Sequence, residues 1–193
     1  RTMTKQDHPY KQLPASAFWR RSVASVPLSQ LDPVGRFSLR VSPETRVATA
    51  GSCFAQHIAR HLRASGFNYY VTEMAHPIVG ERIGGAHHYG TFSARYGNIY
   101  TSRQLLQLIQ RAYGHFSPAE DVWIESDGTA IDPFRPTVQP GGFSSVAELR
   151  ADRVQHLAAV RRMFENLDVF VFTLGLTECW RSRIDGAVFP LCP

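Results

Sequence analysis

Lysine is almost absent from this chain. Lys5 and Lys11 are the only two, and arginine carries nearly all of the positive charge. The arginines are scattered, at Arg20-Arg21, Arg60, Arg63, Arg82, Arg95, Arg103, Arg111, Arg150, Arg153 and Arg161-Arg162, and form no basic run interleaved with aromatics. A formal charge of +5 distributed in this way argues against a nucleic-acid partner. It fits an acidic glycan or other anionic substrate, and equally a charge with no functional meaning. Cysteine is scarce as well. Cys53, Cys179 and Cys192 have neither metal-ligand spacing nor the density of a disulfide framework. Free thiols in a reducing compartment, and so a cytoplasmic location, are expected. No apolar run reaches membrane-spanning length, and residues 1–11 are polar where a secretory leader would be apolar.

What is present reads as one folded domain. The 193 residues are 44% hydrophobic and 19% charged, enough for a real core. Residues 1–36, rich in Pro, Gln, Ser and aromatics, read as an extended N-terminal arm anchored by Phe18, Trp19 and Leu28. The domain proper is expected over 37–193. Strands are expected at Phe37–Val41, Arg46–Ala50, Asn68–Thr72 and Asp168–Thr173; the last is fully apolar, as parallel-sheet centres are. A helix is expected over Cys53–Ser65 with Phe54, Ile58 and Leu62 at one-turn spacing, closed by Gly66. Capping-box patterns open two more, Thr101 with Gln104 and Ser145 with Glu148, the latter running through Leu149, Leu157, Val160 and Phe164. Asp127-Gly128 marks a hairpin between 122–125 and 129–131. Residues 73–100 read as a long functional loop and Pro133–Gly142 as a surface loop. Strands alternating with helices give an α/β fold with a mostly parallel sheet.

The richest stretch is Thr49-Ala50-Gly51-Ser52-Cys53-Phe54-Ala55. A strand, a tight Gly-Ser turn and a helix start are how α/β enzymes present a nucleophile at a sheet edge. An ordinary serine N-cap has the same local pattern. Cys53 beside it is a second candidate nucleophile, a more distant one, and is expected to pack inward as a small apolar residue.

The run Gly51-Ser52-Cys53-Phe54-Ala55 resembles the signature of the GSCFA family. Phe92-Ser93-Ala94-Arg95-Tyr96-Gly97-Asn98-Ile99-Tyr100-Thr101 and Thr173-Leu174-Gly175-Leu176-Thr177-Glu178-Cys179-Trp180 extend the resemblance, which covers the chain from about Phe37 onward. The family looks like a branch of the SGNH/GDSL hydrolases. The resemblance implies a three-layer α/β/α fold with Ser52 as nucleophile and its N–H as an oxyanion donor. Gly97 and Asn98 are implied as further oxyanion donors. The third block of SGNH enzymes reads Gly-x-Asn-Asp, with the Asn amide as an oxyanion donor; here Thr177 stands in place of Asn, its hydroxyl is implied as the oxyanion donor, and Glu178 becomes a candidate substrate contact. His87 and His88 are candidate substrate contacts near the second block, and His76 lies in the same loop.

SGNH enzymes carry their base in a late Asp-x-x-His pair. None follows the Asp168–Thr173 strand, so the chain is expected to be C-terminally incomplete. His57 and His61, one turn apart, have metal-ligand spacing but no third ligand, and read as an exposed helix edge with no metal. No cofactor is expected. The implied activity is a serine esterase or O-acyltransferase acting on a small-molecule or glycan ester; the alternative is a non-catalytic glycan-binding module on the same fold.

Overall fold

Five buried small or β-branched residues, Val47–Gly51, form strand β1. Its partner is β4, Val169–Thr173, an alternation of valine and phenylalanine suited to a pleated, half-buried surface. The two run parallel, in register from Val47↔Val169 to Gly51↔Thr173. Tyr69 adds one parallel bridge to Val47, so the strand expected at Asn68–Thr72 reduces to that bridge. The computed structural model describes residues 9–32 and 37–192. The fold is mixed α/β around this short parallel sheet, and no barrel closes among the described residues.

The chain divides into two compact units, 1–41 and 42–193. In the first, the segment read from sequence as an extended arm instead makes short helical turns at Ala15–Ala17, Arg20–Ala24 and Leu28–Gln30. Trp19 and Leu28, expected as anchors, are exposed. Phe37–Val41 forms no strand.

Helix α1, Cys53–Ala64, begins at Ser52 and ends where Gly66 (φ 76°) and Phe67 N–H close back on the last turn. Its buried residues are Ala55 and Ala59, while Phe54 is 62% exposed. The small-residue face, not the expected Phe54–Ile58–Leu62 stripe, meets the strands, because alanines let the helix axis approach closely. A short helix α2, Glu81–Ala86, interrupts the 73–100 segment. Helix α3, Ser102–Ala112, is capped by Thr101, whose hydroxyl accepts from Gln104 N–H. Helix α4, Val146–Asn166, is capped by Ser145 in the same way. Between them lies the Asp127-Gly128 hairpin of β2, Trp123–Ile124, and β3, Ala130–Ile131. A hairpin that the sequence did not suggest, β5 (Trp180–Arg181) with β6 (Val188–Phe189), follows β4.

The main core joins Ala48 and Ala50 of β1, with Phe170 and Phe172 of β4, to Leu108 of α3 and Val160 and Met163 of α4. Phe92, Ala94, Tyr96 and Ile99 complete it. Residues 91–99 therefore lie at the centre of the molecule, although their weak periodicity reads as a loop outside the core. Pro133, Phe134, Arg135 and Val138 are likewise buried, so Pro133–Gly142 is not a surface loop.

A buried charge network explains both corrections. The Arg95 guanidinium, almost fully enclosed, pairs with Asp152 (2.8 Å), donates to the His87 carbonyl and lies 4.0 Å from the Tyr89 ring centroid. Arg135 pairs with Asp132 (2.9 Å) and Asp152 (2.7 Å). Arg153 reaches Asp121 (2.8 Å) and Asp132 (3.4 Å). Glu73 accepts from Arg95 N–H (2.7 Å) and from His156 Nδ1 (2.8 Å). Burial works to raise the Asp132 carboxyl, but Arg135, Arg153 and Arg111 outweigh it and hold it well below the usual carboxylate range. Burial likewise opposes ionisation of Glu73, and attraction to His156, the hydrogen bonds it accepts and the Arg135 charge bring it to about 2. Burial, helped by Arg135, lowers His156 to about 4. Above that pH His156 is neutral, and its tie to Glu73 is a hydrogen bond rather than an ion pair.

A base held neutral in the fold and free to charge in the unfolded chain weakens the fold as pH falls. The His156 contribution is complete above the unfolded value of roughly 6.5 and is lost as pH drops toward about 4. The Glu73 and Asp132 contributions have the same sign but decline only below about pH 4.5. Lowering pH from 7 to 5 is expected to cost about 2 kcal/mol of unfolding free energy, measured by urea denaturation. His156→Gln is expected to flatten that interval; an unchanged slope in the variant would show that His156 is not its source.

Candidate functional site

Ser52 sits at the junction of β1 and α1 with extended backbone (φ −75°, ψ −172°). Its Oγ accepts from Phe54 N–H at 3.3 Å and its carbonyl from Ala55 N–H at 2.9 Å. Ser52 thus stands at the N-terminus of α1, where the helix dipole favours negative charge. Ser52 is half-buried and Cys53 is exposed. The inward packing expected for Cys53 is therefore wrong: Ala55 takes the inward position at the first turn. Cys179 and Cys192 are exposed and free too.

The residue before Ser52 must be glycine. Gly51 has φ 145°, and a Cβ there would lie 1.9 Å from Thr173 Oγ1 and 2.7 Å from the Thr173 carbonyl. The β1–β4 approach at this point is what turns the chain into α1.

Three separate segments meet at Ser52 through their backbones. Ile99 N–H donates to the Gly51 carbonyl (2.8 Å), and the Tyr100 carbonyl accepts from Gly175 N–H (3.2 Å) and Leu176 N–H (3.0 Å). A Cβ on Gly175 would meet Ser52 Cβ and the Tyr100 ring, both at 3.6 Å. Side chains reinforce the junction. Gln56, one turn along α1 from Ser52, donates to Asn98 Oδ1 (3.5 Å). Gln104 donates to the Asn98 carbonyl (3.0 Å) and accepts from Tyr100 N–H (2.9 Å).

Of the residues singled out from sequence, Asn98 is tied to the first turn of α1 through Gln56. Gly97 turns with φ 71°, and among the described residues neither its N–H nor that of Asn98 meets a protein acceptor. Asn98 Nδ2 carries two protons; one goes to Tyr100 Oη (3.1 Å), which leaves one to donate. Thr177 is exposed, two residues past Gly175, and lines a cleft of about 570 Å³ with Ser102, Arg103 and Leu174. Glu178 lines an adjoining cleft of about 410 Å³ with Tyr100, Trp180 and Phe189.

His87 and His88 lie elsewhere. His87 Nδ1 meets Gln139 Oε1 at 3.0 Å, and the His88 ring stacks 5.9 Å from that of Phe92. Burial lowers the His88 pKa. They belong to the surroundings of Arg95, and neither lines the clefts that hold Thr177 and Glu178. His57 and His61 are exposed on α1, and no three His, Cys, Asp or Glu side chains among the described residues converge as a metal set. No described histidine is hydrogen-bonded to Ser52. Sequence reasoning missed Gln56, Tyr100 and Gln104, which hold the junction; only the Thr101–Gln104 capping pattern hinted at the last.

Gly51→Ala is expected to cost about 3 kcal/mol or more in chemical denaturation, from positive φ and the clash together. Thr173 Oγ1 is buried without a hydrogen-bond partner. Thr173→Ala alone is expected to fall within about 1 kcal/mol of wild type, and combined with Gly51→Ala to recover only part of the loss, since the Thr173 carbonyl remains in the way. A Gly51→Ala protein as stable as wild type would refute this account of the turn.

No helix among the described residues is long and apolar enough to cross a membrane. No curated protein and no solved structure matches the chain. The sequence model of the GSCFA family matches residues 46–193, the span that holds β1, the Ser52 junction and all three converging segments, and the chain belongs to the GSCFA family.

Proposed function

We propose that this chain is a serine-dependent ester hydrolase or O-acyltransferase with the three-layer α/β/α arrangement of SGNH enzymes, acting on a carbohydrate ester. One observation carries the reading. The three family segments converge on Ser52 through the Ile99–Gly51 and Gly175/Leu176–Tyr100 backbone bonds, as a site needs and a helix cap alone does not. Ser52 Oγ attacks the ester carbonyl carbon and passes its proton to a base. The ester C=O bond opens to a tetrahedral oxyanion, held by Ser52 N–H, Gly97 N–H and the Asn98 amide. Collapse breaks the bond to the alcohol, which leaves with a proton, and the acyl group stays on Ser52. Water or a sugar hydroxyl then attacks the acyl-serine and releases it. Thr177 and Glu178, on the cleft walls beyond Gly175, would contact the substrate. The base expected of such an enzyme is an Asp-x-x-His pair, which this sequence does not contain. Exposed free thiols at Cys53, Cys179 and Cys192 suit a cytoplasmic setting.

A non-catalytic glycan-binding module is the second reading. It is favoured by the engagement of Ser52 Oγ as a helix cap and by the threonine where SGNH enzymes have asparagine. Treatment of the full-length protein with a fluorophosphonate probe, followed by peptide mass spectrometry, separates the two. The enzyme reading predicts labelling at Ser52. Ser52→Asn keeps the cap and removes the nucleophile, so it is expected to abolish labelling with unfolding stability within about 1 kcal/mol of wild type. No labelling of the wild-type full-length protein would favour the binding module.

A further inference from the structure

We propose that the groove beside α1 is an anionic subsite that binds the carboxylate-bearing part of a glycan chain whose ester is presented to Ser52. This rests on the reading of Ser52 as the reacting group. A cavity of about 670 Å³ lies between α1 and residues 74–91, within the size range of ligand pockets. Gln56, Ala59, Arg60 and Arg63 form its α1 wall. Their spacing of three and four residues puts them on one helix face, and Ser52 stands one turn before Gln56 on that face. The groove thus starts at the residue that ties α1 to Asn98 and runs about 10 Å along the helix axis.

Its charge is unbalanced. Residues 53–64 contain no Asp or Glu, and among the described residues no carboxylate lies within ion-pair distance of Arg60 or Arg63. Among the described residues, Glu81 is the only acid lining the groove. Both guanidiniums are held in place by groups other than carboxylates. Arg60 Nη2 donates to the His57 ring (2.9 Å), and Arg63 donates to the Gly90 carbonyl with its Cζ 4.5 Å from the Tyr69 centroid. Orientation is therefore settled before a ligand arrives, and the charge is left for it. Two arginines in series, with the Gln56 amide between them and Ser52, suit a run of uronic-acid residues: guanidinium forks take carboxylates in bidentate fashion, and the amide takes a sugar hydroxyl.

The test is isothermal titration of the full-length protein with tetragalacturonate, with a neutral xylotetraose and with a single-stranded oligonucleotide of equal charge, alongside fluorophosphonate labelling. The subsite predicts binding of the uronate oligomer that weakens with added salt, exceeds that of the neutral one, and falls roughly tenfold or more in Arg60→Glu. Arg60 is exposed on its helix, so thermal unfolding of the variant is expected to match wild type. Uronate affinity unchanged in Arg60→Glu, equal affinity for the neutral oligomer, or tighter binding of the oligonucleotide would overturn the proposal. Labelling at Ser52 without uronate binding would overturn the subsite alone. Uronate binding without labelling would leave the subsite standing and remove the nucleophile.

Discussion

The ion network of Arg95, Arg135 and Arg153 with Glu73, Asp132, Asp152 and Asp121 holds the domain's irregular parts in place. Long segments of this chain have no ladder or helix to satisfy their polar groups, and buried backbone must find partners somewhere. Arg95 supplies them, donating to both the His87 and the Val138 carbonyls, while Glu73 takes Arg95 N–H. Each charge is countered within the set, so the desolvation cost is offset; removing one partner would leave an uncompensated buried charge, which typically costs about 3–5 kcal/mol. Because α4 contributes Asp152, Arg153 and His156 to this set, the helix behind the sheet and the loop that carries Gly97 and Asn98 are fixed by the same interactions.

The site itself depends on smallness. Gly51 lets β1 turn against Thr173, Gly175 lets the third segment lie against Ser52 and Tyr100, and Ala55 and Ala59 let α1 lie close to the strands. Where side chains are absent, backbone groups of three distant segments come within hydrogen-bond range. The oxyanion donors proposed here are mainly such groups, and backbone N–H needs no rotamer to be fixed before it can act.

The sequence was legible where local rules dominate. Ser145 and Thr101 cap their helices as capping patterns require, Asp127-Gly128 turns the hairpin, and the Val-Phe alternation after Asp168 forms β4. Ser52 at a strand–helix turn was legible for the same reason. The charge network was not. Arg153 and His156 occupy inward positions of α4, so the helix carries polar residues where a core-facing stripe should be apolar, and periodicity there understates burial. Asp132-Pro133-Phe134-Arg135 has the composition of a surface turn, and only pairing with residues far along the chain makes it interior. The same limit explains His87 and His88. Closeness in sequence to Gly97 suggested closeness to the site, but His87 gives its carbonyl to Arg95 and its ring to Gln139 instead.

The strand pair that sets Ser52 in position joins residues about 120 apart: Arg46 N–H meets Asp168 Oδ2 with a separation of 122. Closing so long a loop carries an entropic cost that nearby contacts do not share, and topologies of this kind form slowly. During synthesis the Gly51–Ser52 turn lacks its Thr173 and Gly175 neighbours until β4 and the residues after it have left the ribosome. Assembly of the site is therefore a late event, completed only when the two halves of the parallel sheet meet.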